Sequence, residues 1–464
     1  MKGKKVFRLS KSAYICAAVA AVLVFAVIVC SFVLQKKGQT DLFFSPVSSG
    51  AIILKDGVNT GNVISGKSIS CQREAFDGES AAVLMADGSS YSLYSVQNGG
   101  YKKISDNCTG EIVYMHSGAD VVYLNSDDTL FAGKTVVSDC VKCFASAPDS
   151  SAIIYVKESE NAQELYLYTN AAATLIGQDY IPVAVSSGGS DIYVVAPDGA
   201  FCILNKDGSM KSKLCSDVAG ESFVFSEDMS VVVFGDGEYT YMSIQGKSRI
   251  RLFEGKGSPV TYGMKKERLD STGIAYAVNT DISSGFYTSV SENNNMSLYY
   301  VNEDSAVKSV ASSVQNVIVT GDTTVSYLDT QGRVYAYNGE ESELIVTGAE
   351  SFYATSQNKY IYYMLAGGEV YSVKNNNNQL LAKGVFRYYL HSDNTLYLLM
   401  SDNRLYSVKG VKRSDVIAEN VNFCISDGDI FYYACNYNSD KGTYTLHSSS
   451  DGKDFSLVSE NISR

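Results

Sequence analysis

The sequence predicts an all-β fold of about ten repeated four-stranded antiparallel units set around an axis, preceded by one transmembrane α-helix. Three observations predict it. A short strand signature recurs at a near-constant spacing, tight-turn pairs punctuate the strands, and a single uncharged apolar run precedes them all.

The apolar run comes first along the chain. Residues 13–34 carry no charge, and twelve of them are Leu, Ile, Val or Phe. As a helix the run is about 33 Å long, against a hydrocarbon core of roughly 30 Å. Lys2, Lys4, Lys5, Arg8 and Lys11 precede it, and only Lys36 and Lys37 follow closely. That bias predicts a cytoplasmic stub (1–12), one span of the plasma membrane (13–34) and all later residues outside the cytoplasm. A cleaved signal peptide is the rival reading. It calls for an apolar region of roughly 7–15 residues and a small-x-small cleavage site, which Phe32-Val33-Leu34-Gln35 does not offer. A lipoprotein anchor at Cys30 calls for a small residue just before it, where Val29 stands.

Beyond position 37 the chain holds 31 basic and 50 acidic residues. This excess of negative charge argues against nucleic acid and against anionic headgroups as partners. Thirty-four Tyr and only five Pro suit half-buried strands. No Pro-rich or low-complexity linker divides this part. Residues 35–67 therefore read as a tether with N-terminal strands, and 68–464 as one repeat domain whose units pack mainly on their neighbours.

The signature reads Leu93-Tyr94-Ser95-Val96, Leu130-Phe131, Leu165-Tyr166-Leu167, Phe201-Cys202-Ile203, Tyr241-Met242, Leu298-Tyr299-Tyr300, Val334-Tyr335, Val370-Tyr371, Leu405-Tyr406 and Tyr444-Thr445-Leu446. Successive spacings are 37, 35, 36, 40, 57, 36, 36, 35 and 39 residues, so the sixth unit carries an insertion. Periods in this range belong to solenoids, propellers and arrays. Residues 395–427 serve as the template unit, with strands over 395–400, 404–408, 415–418 and 421–425. Four short strands and no 3.6-residue periodicity exclude helical repeats and describe β-propeller blades. Asp87-Gly88, Asp198-Gly199, Asp236-Gly237 and Asp402-Asn403 supply hairpin turns between the first two strands of this scheme. In the same scheme the last unit lacks a fourth strand, and 68–72 is placed to supply it and seal the ring.

Phe144-Ala145-Ser146-Ala147-Pro148-Asp149, followed by Ala152-Ile153-Ile154-Tyr155, resembles the F-S-P-D-G junction of TolB-like and WD40-like bacterial β-propellers. Phe225-Ser226-Glu227-Asp228 resembles it too, with weaker echoes at Thr320-Gly321-Asp322 and His391-Ser392-Asp393. The likeness covers most of 80–464 and implies fold alone. Ser449-Ser450-Asp451-Gly452-Lys453-Asp454-Phe455 resembles an Asp-box turn, a structural hairpin of propellers.

Candidate sites follow from this scheme. The insertion, read as a polar loop over 281–296, offers Phe286, Tyr287, Asn293 and Asn294 as binding contacts. Asp127, Asp128, Asp198, Asp236 and Asp402 sit at turn tips on one ring face and are candidates for Ca²⁺ or a basic partner, although no Ca²⁺-loop spacing is present. Cys202 and Cys215 flank Gly208-Ser209 and are placed to bridge one hairpin. Cys424 and Cys435 are placed on neighbouring blades, and buried free thiols are the alternative for both pairs. Cys140-Val141-Lys142-Cys143 has redox spacing but no helix to activate it. His116 and His391 share a repeat position, which suits structural hydrogen bonding better than metal ligation. No nucleophile elbow is present, so no catalytic residue, metal site or cofactor is assigned.

These features together point to a membrane-anchored, extracytoplasmic, non-catalytic scaffold that binds a protein, peptide or glycan through loops on one face. Two other classes remain open. One is a propeller enzyme, either a quinoprotein-like oxidoreductase or a glycan-active hydrolase or lyase. The other is a structural or sensory element of the bacterial cell envelope. The absence of Trp weighs against the quinoprotein reading.

Overall fold

The computed structural model describes residues 40–45, 48–74, 80–87, 90–115, 121–159, 162–218, 222–226, 228–247, 249–260, 266–269, 275–279, 282–290, 295–427 and 429–463. Their regular structure is all β, apart from two short 3-10 turns, Ser187–Gly189 and Ser356–Asn358. The run 13–34 lies outside the described residues. No helix among those described is long and apolar enough to cross a membrane.

Each copy of the signature falls on the third strand of a separate antiparallel unit, from Ser90–Gln97 near the start to Thr443–Ser449 at the end. Numbered along the chain, unit 1 spans 40–65, unit 2 68–105, unit 3 108–138, unit 4 141–178, unit 5 181–215 and unit 6 222–254. Units 7 and 8 span 256–347, unit 9 349–382, unit 10 385–413 and unit 11 421–462. Units 7 and 8 are one seven-stranded sheet, because the strand Val307–Gly321 ends the first and begins the second. Unit 1, with strands Thr40–Ser45, Gly50–Lys55 and Val58–Ser65, adds to the ten units predicted. Its central strand contains no Tyr, so the signature does not reach it.

The predicted phase is corrected by one strand. Val421–Asp427 opens unit 11 rather than closing unit 10, and the Asp-Gly-type turns join second strands to third. Strand boundaries were legible, but in an unbroken meander the sequence does not mark where one sheet stops and the next begins.

Burial explains the layering. The second strands Ser80–Asp87, Ala152–Glu158 and Thr395–Met400 each hold at least five consecutive buried residues. Alternation disappears there because a neighbouring sheet covers each face. Fourth strands such as Ala172–Gln178 are largely exposed. First strands lie against the first strands of the next units, as Ser68–Glu74, Cys108–Met115, Val141–Ser146 and Ile181–Val185 do in turn. They form the inner rim.

Core clusters are shared between successive units. Leu84 of unit 2 packs with Val121 of unit 3, Ile154 with Val194 across units 4 and 5, and Tyr362 with Leu398 across units 9 and 10. The series closes on itself. Ile52 and Leu54 of unit 1 pack with Ile430, Tyr432, Leu446 and Val458 of unit 11. Ser448 Oγ donates to Gly57 O at 2.6 Å, Asn59 Nδ2 to Val458 O at 2.9 Å, and Tyr432 OH to the Asp41 carboxylate. Closure therefore comes from face packing rather than from a borrowed strand. Residues 68–72 belong to the first strand of unit 2, paired with Ser80–Asp87, and unit 11 has four strands of its own.

A second repeated device stitches the units. The backbone N–H at the entrance to a new unit donates to a carbonyl in the second-to-third-strand turn of the unit before. The pairs are Val141 to Asp128 (2.8 Å), Val218 to Gly199 (3.0 Å), Gly255 to Glu238 (2.8 Å), Ala349 to Gly332 (2.9 Å), Val385 to Gly368 (2.9 Å) and Val421 to Asn403 (2.9 Å). Several of these acceptors sit at positive φ: Asp128 at 55°, Gly199 at 80°, Gly368 at 75° and Asn403 at 64°. Only Gly, Asn and Asp enter that region readily, which accounts for the residue types at the turn tips. At Gly368 a Cβ would also press on the Val385 carbonyl.

The insertion also differs from expectation. It lies between the first strand of unit 7, Lys256–Val260, and its second, Gly285–Val290. It forms a hairpin, Lys266–Leu269 with Ala275–Asn279, and the latter strand pairs in parallel with Ser222–Ser226, the first strand of unit 6. The insertion thus turns onto the inner rim rather than projecting as a loop.

If the ring closes through the seam between units 1 and 11, Leu54→Ala should behave as an ordinary core truncation. The expected cost is about 2–5 kcal/mol, comparable with Leu396→Ala at an internal seam and measurable by denaturant unfolding. A Leu54→Ala protein as stable as the parent would mean the seam is open.

Candidate functional site

One cavity lies on the inner rim where the first strands of units 7 to 10 end. Its volume is about 390 Å³, and it is lined by Val260, Val317, Ile318, Val319, Ala354, Thr355, Ser356, Leu390, His391, Ser392 and Asn394. Tight turns to the second strands bring these residues together. A buried hydroxyl recurs at the end of first strands, at Ser146, Ser186, Ser226, Thr320 and Thr355. In three of them it caps the turn. Ser186 Oγ accepts the Asp191 N–H at 2.8 Å, Ser226 Oγ the Val231 N–H at 2.8 Å, and Thr355 Oγ1 the Tyr360 N–H at 2.9 Å.

This gives the F-S-x-D pattern a physical reason. Ser226 Oγ also donates to Asp228 Oδ1 at 2.6 Å, and Asp228 Oδ1 accepts the Ser230 N–H at 3.0 Å. Asp393 repeats the arrangement, taking the Thr395 N–H and Oγ1 at 2.8 Å each.

His391 occupies the hydroxyl position in unit 10. It is 3% exposed, and its Nδ1 is hydrogen-bonded to Ser426 Oγ of unit 11 at 3.1 Å. The Asn394 N–H donates to the His391 carbonyl, and Ser392 Oγ donates to Asp429 Oδ1, both at 2.9 Å. The ring is thereby held at Nδ1, and His391 is among the residues that line the cavity. His391 follows a first strand, and His116 lies outside the described residues.

The predicted binding loop is not assembled. Phe286 and Tyr287 are 2% and 0% exposed, inside the second strand of unit 7. They pack with Leu298 and Val325, and with Phe253 and Val301, respectively. Adjacent Phe286 and Tyr287 enter different core clusters because the second strand is covered on both faces, and the insertion's true position masked that strand. Asn293 and Asn294 lie outside the described residues.

The acidic tips are engaged within their own turns. Asp198 Oδ1 accepts the Ala200 N–H at 3.1 Å and its Oδ2 meets Lys213 at 3.3 Å, which holds its carboxyl below the usual range. Asp236 Oδ1 accepts the Tyr239 N–H at 2.9 Å. Asp402 is lowered chiefly by Arg404, whose Nε donates at 2.7 Å. Asp127 is hydrogen-bonded to Asn125, and Asp128 gives its carbonyl to Val141. Among the described residues no three His, Cys, Asp or Glu side chains converge to hold a metal ion.

Cys108, Cys140, Cys202, Cys215, Cys424 and Cys435 are free thiols. Cys202 and Cys215 lie on opposite faces of unit 5: Cys202 packs toward unit 4, and Cys215 toward unit 6. In register Cys202 faces Lys213, while Cys215 faces Phe201. An offset of one residue sends the two thiols to different faces. Cys424 and Cys435 lie on adjacent strands of unit 11, not on neighbouring blades, with Cys424 opposite Tyr433 and Cys435 opposite Val421. Such diagonal neighbours are roughly 7–8 Å apart, beyond the usual disulfide span. Cys140 sits in a turn at φ 54°.

The Asp-box turn joins the third and fourth strands of unit 11. Asp451 Oδ1 accepts the Lys453 and Asp454 N–H groups at 2.9 and 3.0 Å, which draws its carboxyl down to about 2. Phe455 then packs against Tyr433, with ring centroids 5.1 Å apart.

No protein-family model and no curated protein matches the chain. Among solved structures, the tricorn protease is similar over 92% of this chain at 10% identity and TM-score 0.31, and the chain spans 59% of that protein's length. BamB from Moraxella catarrhalis is similar over 64% of this chain and 95% of its own, at 14% identity and TM-score 0.28. TolB from Acinetobacter baumannii is similar over 46% of this chain and 62% of its own, at 16% identity and TM-score 0.29. At these scores the likenesses carry no argument. The packed four-stranded antiparallel units are by themselves those of a β-propeller.

Two outcomes follow from the thiol and histidine environments. Burial pushes the Cys424 thiol up to about 12, so alkylation of the native protein at pH 8 should label exposed Cys140 first and Cys424 only after unfolding. A Cys202–Cys215 crosslink in a non-reducing peptide map would contradict the register. Burial also lowers the pKa of His447, which stacks on Tyr433 at 4.8 Å. Its neutral form is favoured in the fold. Its contribution to stability is therefore complete above the unfolded pKa of about 6.5 and is lost as pH falls toward the lower folded value. His447→Gln should flatten the fall in melting temperature between pH 7 and 5, and parallel curves for the two proteins would refute the assignment.

Proposed function

We propose that this chain is a membrane-anchored, extracytoplasmic β-propeller of eleven units that serves as a non-catalytic binding scaffold for a protein, peptide or glycan. The observation that carries the reading is the closed series of packed sheets with a pocket on its inner rim, lined by uncharged side chains. A ring so stitched holds its rim residues in fixed positions, which is what recognition requires of a scaffold. The anchor reading is supported by the uncharged run 13–34 and the five cations before it.

The placement is tested with the full chain expressed with a C-terminal epitope in a bacterial host. It should sediment with membranes, resist carbonate extraction and lose its epitope to protease added outside intact spheroplasts. A carbonate-soluble chain, or an epitope protected until lysis, would overturn the placement.

A further inference from the structure

We propose that the inner-rim cavity seats one uncharged aliphatic residue of a partner peptide, with the peptide amide turned toward His391. This deepens the scaffold reading and rests on it. The argument begins with charge. Among the described residues no Lys, Arg, Asp or Glu lines the cavity, so a charged group entering it would gain no counter-charge from them. The ligand is therefore neutral where it is enclosed.

The walls divide by chemistry. Val260, Ile318, Val319 and Leu390 form an aliphatic side, and His391 and Asn394 belong to a polar side. Among the described residues no Phe or Tyr lines the cavity, so none of them offers a stacking platform for a sugar ring or a base. A volume of about 390 Å³ is near the lower end of ligand pockets, which run from roughly 300 to 1,000 Å³. That suits one residue with its flanking amides.

His391 supplies the specific contact. The side chain is 97% buried, and its Nδ1 is taken by Ser426 Oγ. Its Nε2 has no hydrogen-bond partner among the described residues, and it is not an enclosed orphan atom either. A buried imidazole with one nitrogen fixed and the other facing a cavity is a group waiting for a ligand's donor or acceptor. Which of the two it takes is set by the tautomer that Ser426 selects.

The test uses the full chain in detergent and diethyl pyrocarbonate, which carbethoxylates a free imidazole nitrogen, followed by peptide mapping. His391 should be modified despite its burial. N-acetyl-leucinamide at millimolar concentration should slow that modification severalfold, whereas N-acetyl-lysinamide and methyl glucoside should not. Ser392→Trp, at the exposed rim, should abolish the protection while the melting temperature stays the same. Failure to modify His391 in the native chain, when the denatured chain reacts, would show that Nε2 is closed and sink the proposal. Protection by methyl glucoside instead would make the pocket a sugar site, and protection by none of the probes would leave no site; either overturns it. Placement is read separately by the spheroplast experiment, so an external chain with an unprotected His391 retires the pocket alone. A cytosolic chain with a protected His391 retires the placement alone.

Discussion

A four-stranded sheet has two faces, and in this protein both are apolar. Neither can be covered from within the sheet, because all four strands are spent making it. Each unit therefore needs a neighbour on both sides, and the need is met only if the series has no end. The contact of Ile52 and Leu54 with Ile430 and Leu446 supplies that condition. Without it, units 1 and 11 would each show water an apolar face of the kind that drives association. The consecutive buried residues of the second strands, the exposure of the fourth strands and the existence of an inner rim all follow from that closure.

Face packing by itself leaves neighbouring sheets free to slide. The repeated N–H to carbonyl link from the entrance of several units to the preceding turn restricts that freedom around the ring. It also explains residues that otherwise resemble a functional set. Asp128 and Asn403, like the glycines at 199 and 368, sit at positive φ so that their carbonyls point at the next unit. The acidic tips are thus a consequence of turn geometry, and the exterior negative charge is spread rather than gathered.

The inner rim is where the ring departs from strict repetition. A hairpin inserted in unit 7 adds a strand to unit 6, and His391 replaces the hydroxyl that other units place at the end of the first strand. Both departures lie near the cavity or border it, since Val260 lines the pocket and immediately precedes the insertion. Rigid repeats provide the frame, and the exceptions give one side of it a distinct chemistry.

Local patterning in the sequence determined the strands, the period and the turns. The ten recurrences, the Asp-Gly-type pairs and the hydroxyl-x-Asp turns all report short-range chemistry, so they could be read residue by residue. What only the tertiary structure decided was phase, face and direction. The grouping of strands into sheets shifted by one, because an even meander carries no local mark of a sheet boundary. Cys202 and Cys215 parted to opposite faces through a single-residue offset in register. Phe286 and Tyr287 went to the core because the insertion lay before them, not around them. The cavity was invisible for the same reason: its lining comes from residues more than a hundred positions apart, and only the packing of units 7 to 10 on one another brings them together.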